Sequence, residues 1–148
     1  MKRRDFLAGV AGALVAPALP EAARAQYNSI DPAIRALTRG APLEKGKVTL
    51  ELPQLADNGN SVAMRVAVDS PMTAADHVKS IHLFSERNPV PRMASFYLGP
   101  KAGRAEISSR VRLAGSQRVT AVAELSDGSF WFDSAQVVVT LSACLGES

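Results

Sequence analysis

Cysteine is nearly absent: the 148 residues contain one, Cys144. A lone thiol excludes the internal disulfides that staple many small exported domains. It also excludes Cys-x-x-Cys redox pairs and cysteine-rich zinc sites. Histidine is almost as scarce, with only His77 and His82. Five residues apart, they face opposite sides of a regular strand, which argues against a shared metal. Asp76 stands beside His77, but no serine or second cysteine joins them in a nucleophile–base motif, so no catalytic residue is assigned. Gly-rich phosphate loops are missing, and no feature calls for a cofactor. Basic runs with interleaved aromatics are missing too, which leaves nucleic-acid binding without an electrostatic basis. No apolar run reaches the roughly 20 residues of a membrane span.

What is present begins with an address. Met1-Lys2-Arg3-Arg4-Asp5-Phe6-Leu7 is a charged start, an alanine-rich apolar stretch runs to Leu19, and Ala23-Arg24-Ala25 offers small residues to a signal peptidase. The paired arginines resemble a twin-arginine (Tat) signal, so residues 1–25 are expected to direct export to the periplasm and to be removed. An ordinary Sec signal is the alternative. The full chain has 17 Lys+Arg against 14 Asp+Glu. The signal holds Lys2, Arg3, Arg4 and Arg24 against Asp5 and Glu21, which leaves 13 basic and 12 acidic residues after cleavage. The basic pI therefore belongs partly to the leader, and no membrane attachment is expected once it is gone.

Asp31-Pro32 followed by Ala33-Ile34-Arg35-Ala36-Leu37 and closed by Gly40 reads as one short helix, with Ile30, Ile34 and Leu37 as its apolar stripe. Beyond Pro42 the period changes to two. Val48, Leu50 and Leu52 alternate with polar neighbours, as do Val62, Met64, Val66 and Val68. The pattern returns in Ala105 to Leu113, in Val119 to Leu125 and in Val137, Val139 and Leu141. Such alternation puts one face in a core and the other in water. Asp57-Asn58-Gly59-Asn60, Asn88-Pro89, Gly99-Pro100 and Asp127-Gly128 break the runs. With 77–85, 92–98 and 129–141 they amount to about seven strands, the signature of an all-β, immunoglobulin-like antiparallel sandwich. The inward face near Trp131 is ambiguous because Phe130 and Phe132 flank it. The expected organisation is a signal peptide over 1–25, one domain with its N-terminal helix over 26–141, and a C-terminal arm over 142–148.

Arg104, Arg110 and Arg112 with Glu106 form a charged row along one strand, either solvated surface or a docking face. Cys144, in Ser142-Ala143-Cys144-Leu145-Gly146-Glu147-Ser148, is the one residue offering distinctive covalent chemistry. It is either a presented thiol on a flexible arm or an incidental one.

Several segments together resemble the SoxY family, the sulfur-carrier subunits of the bacterial thiosulfate-oxidising (Sox) system. They are Glu51-Leu52-Pro53-Gln54-Leu55-Ala56-Asp57-Asn58-Gly59-Asn60, Val68-Asp69-Ser70-Pro71-Met72-Thr73, Asp76-His77-Val78-Lys79, Ile81-His82, Asn88-Pro89, the run from Gly103 to Leu113, and the run from Ala121 to Trp131. The resemblance implies a carrier without catalysis of its own, holding thiosulfate-derived sulfur on Cys144 of a swinging arm. It further implies a heterodimer with a SoxZ-like β-protein, and presentation of the cargo to partner enzymes of the Sox type. The arm departs from the family's Gly-Gly-Cys-Gly-Gly ending, keeping only Gly146, and it is similar to a subgroup whose arm reads Ala-Ala-Cys-Ile-Glu. Lost glycines stiffen and widen the arm, and Glu147 adds negative charge near the thiol. Carriage for a different sulfur pathway, or a non-carrier immunoglobulin-like adaptor, are the alternatives.

Overall fold

The alternating runs become strands close to their expected bounds. The computed structural model describes residues 31–141. Helix α1 (Asp31–Thr38) precedes β1 (Leu43–Glu44), β2 (Val48–Glu51), β3 (Leu55–Ala56), β4 (Val62–Val68), β5 (Val78–Ser85), β6 (Arg92–Tyr97), β7 (Glu106–Val111), β8 (Gln117–Leu125) and β9 (Phe130–Val139). A six-stranded sheet has the order β1-β9-β8-β5-β6, with β3 also on β9, and faces a three-stranded sheet β2-β4-β7. The long strands pair antiparallel, giving an immunoglobulin-like sandwich. Nine strands stand among the described residues where about seven were expected. The two additions, β1 and β3, are two residues each and exist only through parallel pairing with β9.

The core between the sheets is aliphatic. Val62, Met64, Val66 and Val68 of β4 meet Ile81 and Leu83 of β5 and Val119, Ala121, Ala123 and Leu125 of β8. Each fully buried Val, Leu or Ile contributes about 1.5–3 kcal/mol, so packing can hold this core without a disulfide.

One expectation needs correcting. Alternation puts one sheet face in water, yet β5 and β8 are buried on both. Helix α1 covers the outer face of the larger sheet, seating Ile34 on Phe84, Val122 and Phe130, with Leu37, Leu43 and Phe132 at the margin. The helix ends in a left-handed turn at Arg39 (φ 55°) and Gly40 (φ 83°). Phe130 and Phe132 thus belong under the helix, while Trp131 packs against the main core. Leu141, expected inward, is exposed, because the burial alternation stops at Val139.

The outer edge of β9 is split. The chain runs beside its first residues as β1, crosses to the other sheet as β2, and returns beside its last residues as β3. In the gap, Leu50 N–H on β2 donates to Asp133 Oδ2 on β9 at 2.9 Å. A side chain here does the pairing that no strand supplies, and ties the two sheets together.

Candidate functional site

Cys144 lies outside the described residues, so the site is built from its base. From the last residue of β9 onward the chain is held residue by residue. Val139 N–H donates to Ser116 Oγ (2.8 Å), Thr140 Oγ1 donates to the Asp57 carbonyl (2.7 Å), and the Leu141 carbonyl accepts from Gly59 N–H (2.7 Å). The Gly59 carbonyl in turn accepts from Leu113 N–H at 2.8 Å. A Cβ on Gly59 would collide with the Leu113 carbonyl oxygen and crowd the Leu141 carbonyl and Val139 Cγ1, both at 3.1 Å. The Asn58-Gly59 turn read from sequence is therefore a clamp, and only glycine closes it. It fixes the chain three residues before Cys144, and three extended residues span about 10 Å. Leu55 (59% exposed), Val138 (48%) and Leu141 (64%) are exposed at this end of the fold, with Leu55 opposite Val138 in the β3–β9 register.

The arginine row does not survive as a row. Strand β7 spans only Glu106–Val111, so Arg104 and Arg112 fall outside it. Glu106 is drawn to Arg65, whose Nε donates to Glu106 Oε1 (2.9 Å) and whose Nη1 donates to Glu51 Oε2 (3.0 Å). This pairing holds the Glu106 carboxyl below the usual carboxylate range and raises the Arg65 guanidinium further. The cluster is exposed and serves as a solvated cross-strand bridge. Arg110 instead donates Nη1 to Ser61 Oγ at 3.0 Å.

The two histidines sit apart. His77, just before β5, contacts the Thr73 carbonyl through Nδ1 at 3.1 Å. His82 is buried on the outer face of the larger sheet, with Nδ1 2.8 Å from Ser95 Oγ and Nε2 3.0 Å from Ser80 Oγ. Ser80 donates to Glu124 Oε2 at 3.4 Å. Its oxygen therefore accepts from Nε2–H, which leaves Nδ1 to accept from the Ser95 hydroxyl. Burial first, and Arg92 second, lower the His82 pKa and keep the imidazole neutral. Tyr97 stands edge-on to the ring at 5.9 Å between centroids. Sequence reasoning missed this relay because its members come from three strands. The one signal was polar Ser80 and His82 alternating with Ile81 and Leu83. The groups satisfy one another, and the relay is a structural hydrogen-bond network beneath a pocket of about 440 Å³. Among the described residues no three His, Cys, Asp or Glu side chains gather to hold a metal. No described helix is long and apolar enough to cross a membrane.

Comparison with known proteins bears on this arrangement. The family described as sulfur oxidation protein SoxY matches residues 34–144. The structure is similar to that of the sulfur carrier protein SoxY from Chlorobium limicola f thiosulfatophilum, with 27% identity and a TM-score of 0.65 over 78% of this chain and 99% of that one. The fold alone is shared with two others. The superoxide reductase (neelaredoxin) of Ignicoccus hospitalis is 19% identical with a TM-score of 0.57, covering 81% of this chain and 92% of that one. The superoxide reductase of Nanoarchaeum equitans is 12% identical with a TM-score of 0.53, covering 65% and 100%. No curated protein matches the sequence.

Proposed function

The chain belongs to the SoxY family of sulfur oxidation proteins, and on that premise we propose that it is a periplasmic covalent carrier, holding thiosulfate-derived sulfur on Cys144 for partner enzymes. The observation that carries this reading is the extent of the family match, which begins inside α1, spans the whole sandwich and ends on Cys144. The clamp at Gly59 supports it physically, since a carrier needs a thiol tethered at short range to a body that other proteins can dock.

Loading joins Cys144 Sγ to the outer sulfur of thiosulfate. The new S–S bond costs two electrons, one from each sulfur, which pass to an external acceptor such as a cytochrome of a partner enzyme, and the thiol proton leaves to water. The product is Cys–S–S–SO₃⁻. A hydrolytic partner then adds water across the terminal S–S bond. Sulfate and a proton leave, and a persulfide stays on Cys144 for the next oxidation. Tethering gives each partner a high effective concentration of an otherwise dilute anion.

The body fits a subunit of a heterodimer. An open sandwich leaves backbone groups unpaired along its outer strands, and a SoxZ-like β-protein would protect them. Residues 1–25 supply the twin-arginine export signal, and 142–148 form the arm. Mass spectrometry under non-reducing conditions, on protein from cells oxidising thiosulfate, tests the assignment. The expected result is a sulfur adduct on Cys144 that disappears in Cys144→Ser together with thiosulfate oxidation, with the melting temperature unchanged. An unmodified Cys144, or full function in Cys144→Ser, leaves the adaptor reading in its place.

A further inference from the structure

A groove of about 580 Å³ opens between the edge strands β6 and β7, where the two sheets part. Its apolar lining includes Met93, Val111 and the exposed Val90, and all of its charge comes from Arg92, Arg110 and Arg112. No carboxylate lines it, and among the described residues no acidic side chain pairs with any of the three arginines. Three exposed guanidinium groups around one groove form an anion site, and guanidinium matches oxyanions better than ammonium because its planar N–H groups bind two oxygens at once.

The groove shares a wall with the exit of the C-terminal segment. The Leu141 carbonyl is bonded to Gly59 and the Gly59 carbonyl to Leu113, the residue after Arg112. Asn88, on the groove's lip, then locks this wall: its Nδ2 donates to the Arg112 carbonyl (2.8 Å) and its Oδ1 accepts from Ala114 N–H (2.9 Å). Cys144 follows Leu141 by three residues, a reach of about 10 Å, and a sulfur chain ending in sulfonate extends it further.

We infer that the β6–β7 groove is an oxyanion site that takes the sulfonate end of cargo carried on Cys144, with Arg92, Arg110 and Arg112 as its ligands. The inference rests on the carrier reading and adds to it a resting place for the loaded arm. Exposed arginines hold the anion only loosely, so a partner enzyme can withdraw it. The unloaded cysteine carries no sulfonate and so offers these arginines no oxyanion.

The test uses the purified chain, with its β-partner where the two co-purify, loaded by tetrathionate. The Cys144 thiolate attacks a central sulfur of tetrathionate, thiosulfate leaves, and Cys–S–S–SO₃⁻ forms with no external oxidant. Backbone and arginine side-chain NMR signals are compared before and after loading, and against Cys144 capped by the neutral reagent iodoacetamide. The expected result is shifts at Asn88–Ala94 and Arg110–Arg112 for the sulfonate adduct alone, lost at 0.5 M salt (where the Debye length is about 4 Å) and lost in Arg110→Gln/Arg112→Gln. If the double variant misfolds, the salt series on the natural chain decides. An adduct that forms but shifts only signals near the exit overturns the inference and leaves the carrier standing. Equal shifts from the neutral cap also overturn it, because the arm rather than the anion is then held. Failure of Cys144 to load at all sinks both.

Discussion

Replacing Gly59 with alanine probes the base of the arm through one methyl group. The added Cβ meets two backbone carbonyls, of Leu113 and Leu141, and neither can move as a flexible side chain would. Relief requires the Asp57–Asn60 turn to shift, which breaks or stretches the bonds from Gly59 N–H to Leu141 and from Leu113 N–H to Gly59. Two such bonds are worth about 1–3 kcal/mol together, and overpacking costs about 1–3 kcal/mol more. The expected loss is about 2–6 kcal/mol, a lowering of Tm by at least about 8 °C for a domain of this size. Urea and thermal unfolding measure it, and amide hydrogen exchange locates it. Protection should fall first at Gly59 and Leu113, while the centre of β8 keeps its own. A Gly59→Ala protein melting within about 2 °C of the natural chain would refute the clamp.

Asp133→Ala strands the Leu50 N–H at the sheet junction and should cost about 1–3 kcal/mol in urea unfolding, whereas Asp133→Asn keeps an acceptor and most of the stability. His82 titrates below its ordinary value of about 6.5 because it is buried and Arg92 is near. The unfolded chain therefore takes up that proton first as pH falls. The His82 contribution is intact above pH 6.5, declines below it, and levels off beneath the folded pKa. Urea midpoints between pH 8 and 5 should show the decline, and His82→Gln should flatten it. Ser85 Oγ is buried without a partner among the described residues, so Ser85→Ala should raise stability by about 1 kcal/mol, read as a higher urea midpoint.

The long strands were legible because alternation reports burial directly: Val62 to Val68 and Val119 to Leu125 point inward as written. Strands β1 and β3 were not, since two residues carry no period and their pairing is dictated by β9. The second buried face of β5 and β8 was also hidden, because Phe84 and Val122 are covered by a helix some fifty residues or more away in sequence. The His82 relay and the Arg92–Arg110–Arg112 groove are tertiary in the same sense, each joining side chains from different strands. Gly59 was legible as a turn, but its contacts with Leu113 and Leu141 were not. Cys144 stood out by scarcity alone.

The split edge of β9 also decides how the molecule bears tension. Any protein that draws residues 142–148 into a cleft pulls along the axis of β9. Its ladder with β8 runs from Gln117 opposite Val137 to Glu124 opposite Phe130, and those bonds lie across the pull, so they resist together in shear rather than opening one by one like a zipper. Parallel β1 and β3 brace the opposite side at both ends. The load therefore meets the whole β8–β9 ladder at once, and the clamp at Gly59 adds its bond to Leu141 at the point where the pull enters.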